Sequence, residues 1–158
     1  MGNVSERAVI ATPIGHLLLW GSAAELEGLR IDAQRAAPLF TPKEGALLEA
    51  VAQIEAYFAG ERISFDLSLR PAQSPRGAAL RDGIIAVPYG STATYGEVAR
   101  RTDSGPRAVG QACRMNPFPI IVPCHRIVSA SGPEHYSGAD GIKTKAWLNA
   151  HELKHRST

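Results

Sequence analysis

The sequence predicts an α/β protein made of a small N-terminal α/β domain and a mostly helical C-terminal domain. Three observations indicate this class. Residues 8–31 read as short strands joined by turns, residues 47–58 carry apolar side chains at helical spacing, and the chain beyond residue 76 divides into short capped helices. A length of 158 residues suits one domain or two small ones.

The N-terminal part is expected to form a small sheet and one helix. Apolar residues recur every three or four positions from Leu47 to Phe58, and Gly60 stands where that helix would end. Ile63–Leu69 alternates apolar with polar residues and is predicted to add a strand. Three earlier apolar runs, separated by turn residues, predict a meander: Val9–Ile10, Leu17–Trp20 and Leu29–Ile31.

The C-terminal part is expected to be mostly helical. Residues 70–77 are rich in Pro, Gly and polar residues and are interpreted as a linker, which predicts domains over residues 1–72 and 73–158. Two helices are expected to start at capping residues. The hydroxyl side chains within residues 91–94 can cap one, and Ser104–Gly105–Pro106 provides a cap with proline in the first turn for the other. Two short helices joined by a tight turn are typical of a helix-turn-helix. Four helices are predicted: 76–86, Tyr95–Arg101, Pro106–Met115 and Lys143–Leu153.

Pro123-Cys124-His125-Arg126 places a thiol beside an imidazole, directly after the apolar run Ile120–Val122. That run is predicted to be a short buried strand, which Pro123 would end. A thiol becomes a nucleophile when a base takes its proton, and His125 is such a base. For an isolated Cys-His pair, a buried structural cysteine beside a surface histidine is the more common explanation, so the pair alone does not establish a nucleophile.

Composition excludes several classes of protein. The two cysteines, Cys113 and Cys124, are too few for a secreted disulfide framework. No apolar run approaches the roughly 20 residues of a membrane helix, and His16 without a preceding cysteine cannot form a structural zinc site, so we expect neither membrane nor metal. The net charge is +2, with four arginines close together: Arg100, Arg101, Arg107 and Arg114. We expect a cytoplasmic protein, or a nuclear one in a eukaryote.

An ordered set of motifs runs from Val87 to Glu152. Its members are Val87–Gly90, Thr94–Ala99, Pro106–Gly110, Asn116–Pro117, Ile121–Val128, Tyr136–Gly138, Lys143 and Trp147–Glu152. In order and spacing these motifs resemble the O6-alkylguanine-DNA alkyltransferases, also called methylated-DNA-protein-cysteine methyltransferases.

The resemblance implies a ribonuclease H-like α/β domain packed on a mostly helical domain with a helix-turn-helix. It implies stoichiometric, irreversible transfer of an alkyl group from O6 of guanine in DNA to Cys124, with O4 of thymine as a further candidate. A thioether cannot be undone by thiol exchange, so each molecule would act once. The implied partner is double-stranded DNA containing O6-alkylguanine, bound by a monomer, and no cofactor is implied.

Five residues match the family's catalytic positions. Cys124 would attack the alkyl carbon after His125 takes its proton through a water molecule. Glu152 would orient the imidazole, although a glutamate in a final helix is equally often a solvated helix end. Asn116 would brace the active-site turn. Tyr95 would deliver a proton to the departing base, whereas an aromatic residue at a helix start is otherwise more often part of a core.

Other residues match the family's DNA contacts. Arg107 would fill the gap left when the target nucleotide rotates out of the duplex, and Ala108 and Gly110 would allow close approach to the backbone in the minor groove. The carbonyl groups of Cys124 and Ile127 would read the exocyclic amine of guanine. The resemblance also implies a pocket loop that contacts O6 and admits the alkyl group: Tyr136, Ser137 and Gly138.

Two alternatives remain. A non-catalytic alkyltransferase-like protein would bind the lesion without repairing it, but such proteins lack the cysteine that this chain has at Cys124. A thiol hydrolase or redox enzyme would also use Cys124 and His125, without support from a resolving cysteine at short spacing. The chain departs from the family's pattern at Ala139–Asp140, and also where the family commonly has Phe-Gln and then Val-Trp, places that this chain fills with Arg76, Gly77, Leu80 and Arg81.

Overall fold

The computed structural model describes residues 5–131 and 141–156, and the chain divides into two compact units after Arg70. The first unit contains the strands β1 (Glu6–Thr12), β2 (Gly15–Gly21) and β3 (Leu26–Asp32) and the helix α1 (Ala46–Phe58). The second contains α2 (Pro75–Ile85), β4 (Ala93–Thr94), α3 (Tyr95–Arg101), α4 (Pro106–Arg114), a 3₁₀ helix (Cys124–Arg126), β5 (Ile127–Val128) and α5 (Ile142–His155). Within the described residues, no helix is long and apolar enough to span a membrane.

The first unit is an antiparallel sheet in the order β1-β2-β3, with α1 packed against it. Strand alternation places Ala8 opposite Leu19 and Leu17 opposite Ile31, and all four side chains are buried. Helix α1 contributes the buried residues Leu47, Ile54 and Tyr57 to the same core. The predicted meander and the predicted helix are therefore confirmed.

The predicted strand over Ile63–Leu69 is wrong. Only Leu69 forms a bridge, with Leu26, and the residues before it are irregular. The side chain of Gln53 makes the backbone hydrogen bonds that a neighbouring strand would make at Asp66. Its Nε2 donates to the Asp66 carbonyl at 3.0 Å and its Oε1 accepts from the Asp66 N–H at 2.9 Å. A side-chain amide that satisfies both backbone groups removes the need for a neighbouring strand.

The four helices predicted in the second unit are confirmed, with ends that differ by up to two residues. Helix α3 begins with a capping box, in which the Thr94 hydroxyl accepts from the Glu97 N–H and the Glu97 carboxylate accepts from the Thr94 N–H. The residue that caps α4 is Gly105, and Pro106 occupies the first turn. Ser104 contributes no cap, because its hydroxyl bonds the Thr102 hydroxyl at 2.8 Å.

The predicted strand at Ile120–Val122 is also wrong, because these residues form turns in which Ile120 has φ +78°. The run is apolar because it is buried, not because it is extended. The strand in this region is β5, which follows the 3₁₀ helix and pairs in parallel with β4. This pairing fixes the start of α3 beside the segment that carries Cys124.

Candidate active site

Cys124 lies at the start of the 3₁₀ helix and is only 3% exposed. The side chain of Asn116 braces this turn: its Nδ2 donates to the Val122 carbonyl at 2.8 Å and to Cys124 Sγ at 3.2 Å, and its Oδ1 accepts from the Phe118 N–H at 2.9 Å. A donor aimed at a sulfur stabilises the thiolate more than the thiol. Asn116 thus shapes the turn and favours the nucleophilic form of Cys124.

His125 and Glu152 form a fully buried pair, with His125 Nε2 and Glu152 Oε2 separated by 2.7 Å. The main chain of His125 is also held, because Asn149 Nδ2 donates to its carbonyl at 2.9 Å. Both Glu152 and Asn149 lie on α5, which therefore sets the position of the imidazole. The second ring nitrogen, His125 Nδ1, is buried without a hydrogen-bond partner among the described residues.

The charges around this pair define its protonation. Burial raises the pKa of Glu152, but hydrogen bonds from His125 and Arg126, together with their charges, outweigh it and lower that pKa to about 2. Burial lowers the pKa of His125, against the opposing effect of Glu152, and the charges of Arg126 and Lys145 lower it further. The imidazole is therefore neutral at neutral pH and donates its Nε2–H to a carboxylate, which leaves the Nδ1 lone pair available as a base.

Two buried cations, Arg126 and Lys145, belong to this site, although the sequence motifs assign no role to either. Arg126 is 6% exposed and binds both oxygens of Glu152. Lys145 is 7% exposed and donates from Nζ to the Ile127 carbonyl at 2.6 Å. Lys143, on which the resemblance in part rests, is exposed instead. The available signal was the helical spacing that places Lys145 on the same face of α5 as Leu148 and Glu152, three and seven residues further on.

Tyr95 is half-buried at the first position of α3 and lies close to α4. A Cβ added at Gly110 would stand 4.0 Å from the Tyr95 ring, at ordinary van der Waals distance, so the phenol lies beside this part of α4. The ammonium of Lys145 is 6.0 Å from the centroid of the same ring. Tyr95 and the Cys124 turn thus belong to one region, because β4 precedes the first and β5 follows the second.

The remaining DNA-contact candidates lie on or near α4. Arg107 is exposed in its first turn and forms no hydrogen bond or ion pair with the described residues, while Ala108 is half-buried. The two carbonyls expected to read guanine already accept bonds within the protein, that of Cys124 from the Ile127 N–H and that of Ile127 from Lys145. A carbonyl oxygen has two lone pairs, so each can accept a second donor.

Several predicted positions take no part in the site geometry given above. Tyr136, Ser137, Gly138 and the departure at Ala139–Asp140 lie outside the described residues. Cys113 is buried in α4, and its carbonyl accepts from the Asn116 N–H at 3.3 Å. Across residues 5–131 and 141–156, no three His, Cys, Asp or Glu side chains are placed to hold a metal ion.

Two protein-family models match the chain in succession. The 6-O-methylguanine DNA methyltransferase ribonuclease-like domain matches residues 7–71, and the 6-O-methylguanine DNA methyltransferase DNA binding domain matches residues 78–154. Together the two models cover nearly the whole chain and both units. Both models agree with the expected fold class, which is confirmed.

Relatives of known name support the same assignment. A methylated-DNA--protein-cysteine methyltransferase of Mycobacterium leprae is 40% identical over 77% of this chain and 76% of its own length. A DNA base-flipping protein of Thermus thermophilus is 39% identical over 88% of this chain and 94% of its own length. The crystal structure of Mycobacterium tuberculosis OGT in complex with DNA superposes with a TM-score of 0.79 at 37% identity and covers 94% of this chain and 93% of its own. With both of its domains matched, the chain belongs to the O6-methylguanine DNA methyltransferase family.

Proposed function

We propose that this protein repairs double-stranded DNA by moving one alkyl group from O6 of a guanine to its own Cys124, once per molecule. The observation that carries the proposal is the arrangement of Asn116 with the buried residues Cys124, His125 and Glu152, in which one imidazole nitrogen is left available as a base. O4 of an alkylated thymine has similar chemistry and is a further candidate substrate.

The reaction begins with the thiol. His125 Nδ1 takes the Cys124 proton, through one water molecule, and Glu152 stabilises the imidazolium that forms. The Asn116 amide, 3.2 Å from Cys124 Sγ, stabilises the thiolate. The sulfur then attacks the alkyl carbon, a C–S bond forms as the C–O bond breaks, and the electron pair remains on the guanine.

The departing guanine needs a proton to leave as a neutral base, and Tyr95 is the acid that we assign to this step. The phenol lies beside Gly110 of α4, and we place the flipped base next to it. The nearby ammonium of Lys145 stabilises the phenolate that remains. The carbonyls of Cys124 and Ile127 accept from the exocyclic amine on C2 of the guanine, a position where adenine carries only hydrogen.

Helix α4 is the element that we assign to DNA. An exposed Arg107 without protein partners among the described residues is free to enter the duplex and hydrogen-bond the base left behind. Because Ala108 has only a methyl side chain and Gly110 has none, the sugar-phosphate backbone can approach α4 closely there. Binding in the minor groove suits a repair protein, because that groove reads sequence poorly and the lesion occurs in any sequence. We assign the remaining contact with O6 to Tyr136, Ser137 and Gly138.

Intact mass spectrometry tests the proposal. Equimolar protein is mixed with a duplex oligonucleotide that carries one O6-methylguanine, and the expected result is a mass gain of one CH2 group, once per molecule, on Cys124. The Cys124→Ala variant is the matched control and should gain no mass. If the wild-type protein instead binds the lesion tightly and its mass stays unchanged, it is a lesion-binding protein that transfers no alkyl group. This second candidate is supported by the name of the Thermus relative, a DNA base-flipping protein.

We also propose that the protein acts as a monomer, because the Asn116–Cys124 and His125–Glu152 contacts form within a single chain and need no second copy. Multi-angle light scattering of the free protein should give the mass of one 158-residue chain. A stable dimer at the concentrations of the transfer assay would contradict this.

A further inference from the structure

Arg126 is a buried charge to which the reaction described above gives no task. Its Nε donates to Glu152 Oε1 at 2.8 Å and its Nη2 donates to Glu152 Oε2 at 3.1 Å. Its Nη1 donates to the Val87 carbonyl at 2.8 Å, which anchors the guanidinium to the main chain on its other side. A fully buried cation is costly, so a site that keeps one needs a compensating role for it.

The geometry gives that role. A guanidinium that binds both oxygens of a carboxylate fixes the plane of the carboxylate as well as its distance. Glu152 Oε2 is shared between Arg126 and His125 Nε2, and Oε1 also accepts from the Gly90 N–H at 3.3 Å. The direction in which Glu152 meets the imidazole is therefore set by Arg126.

The charge balance points the same way. Without Arg126, the buried carboxylate would have the imidazole as its main partner and would favour the imidazolium. Arg126 neutralises the carboxylate in advance and lowers the pKa of His125, an effect that the nearby charge of Lys145 reinforces. A histidine that must accept a proton from a thiol has to be neutral before the reaction begins.

We propose that Arg126 is a positioning residue of the alkyl transfer: its two-point bond to Glu152 holds the carboxylate on His125 Nε2, so that Nδ1 faces the reaction as a neutral base. This inference rests on the proposed function, since it assigns a task within that reaction. Arg126 itself touches neither the substrate nor Cys124 in this account.

The test uses the full-length protein with two substitutions. Arg126→Gln removes the charge, and Arg126→Lys keeps the charge but loses the planar fork. Two quantities that need no DNA are measured for each protein between pH 5 and pH 9: the rate of iodoacetamide reaction with Cys124, and the protonation of His125 by ¹⁵N NMR. A third, the rate of single-turnover transfer from O6-methylguanine, is measured once the mass assay has shown that the wild type repairs this lesion, so failure of the proposed function is recorded separately from failure of the inference.

The expected results separate charge from geometry. In Arg126→Gln, the acid limb of the thiol rate moves to higher pH by about one unit or more, and His125 carries protons on both nitrogens at pH 7. In Arg126→Lys, that limb stays near its wild-type position, while single-turnover transfer from O6-methylguanine falls by about 10²-fold, as a misplaced reacting group costs.

A purely structural role would give a different pattern. Ile84→Ala removes buried apolar volume from α2, and because the Ile84 side chain cannot take part in the hydrogen bonds of the cluster, it provides a variant of the same unit with reduced stability. If Arg126→Gln and Ile84→Ala lower the thiol rate alike, with unchanged pH profiles and a neutral His125, the inference is overturned. Wild-type transfer by Arg126→Lys would overturn it as well.

Discussion

The two units of this protein bury different kinds of side chain. Among the described residues of the first unit, the buried polar groups are Thr12, His16 and Gln53, and no Asp, Glu, Lys or Arg is buried. The second unit buries Arg126, Lys145 and Glu152 beside His125. The first unit is thus stabilised mainly by apolar burial, whereas the second accepts the desolvation of several charges. The comparison teaches that the candidate active site of the second unit lies where the burial of charge makes folding most costly.

The largest effect is expected when the charge cluster is broken at its centre. Glu152→Gln keeps the size of the side chain but leaves the Arg126 guanidinium buried without a counter-charge. We expect the second unit to lose about 3–5 kcal/mol of its free energy of unfolding, and alkyl transfer to be lost. Urea unfolding followed by the fluorescence of Trp147 on α5 measures this loss.

The first unit offers the matched control. Trp20 on β2 reports on that unit, and Glu55→Gln on the exposed face of α1 makes the same chemical change without a buried partner. Glu55→Gln should change stability by no more than about 0.5 kcal/mol. If Glu55→Gln and Glu152→Gln lower the free energy of unfolding equally, the charge cluster makes no particular contribution to stability.

The pH dependence of stability should also differ between the units. The pKa of Glu152 is about 2, against an ordinary value of 4.5, so its contribution is complete above pH 4.5 and is lost as the pH falls through 2. Because the pKa of His125 is lowered from 6.5, its contribution is likewise present above that value and lost on acidification. The shift of Glu152 alone corresponds to about 3 kcal/mol.

Urea midpoints at pH 7, 5 and 3 check this expectation, with Trp147→Phe and Trp20→Phe variants used to isolate the fluorescence of each unit. The midpoint of the second unit should fall steadily towards pH 3, and that of the first unit should fall less. A parallel fall in the two units would contradict the assignment of the acid sensitivity to the cluster.

The sequence predicts structure that depends on neighbouring residues better than structure that depends on distant contacts. Helix α1 and the capping box of Thr94 and Glu97 depend on residues three or four positions apart, so their patterns are visible in the chain. The turn at Ile120–Val122 was predicted as a strand because burial alone makes a run apolar, while the side chain that shapes the turn, Asn116, bonds across it to Val122.

The site was predictable to a similar extent. The resemblance placed Cys124, His125, Asn116 and Glu152 in the candidate site, and the structure brings these four together. The same resemblance attached no task to Arg126, which lies 26 residues from Glu152 in sequence, and it passed over Lys145. Such contacts depend on the packing of α5 against the 3₁₀ helix. Residue periodicity and motif spacing do not predict that packing.

The smallest effect is expected at the buried amide of the first unit. Gln53→Ala removes the only side chain that binds both backbone groups of Asp66 within the described residues, and so frees the irregular segment that replaced the predicted strand. Asp66 is exposed, so water can take over its backbone bonds, and the loss should be limited to about 1–2 kcal/mol. Urea unfolding followed at Trp20 measures it, with Gln34→Ala on the exposed loop after β3 as the control. Since the second unit contains all the proposed catalytic residues, transfer to Cys124 should be unchanged; a comparable loss of transfer would show that the division between an apolar unit and a catalytic unit is wrong.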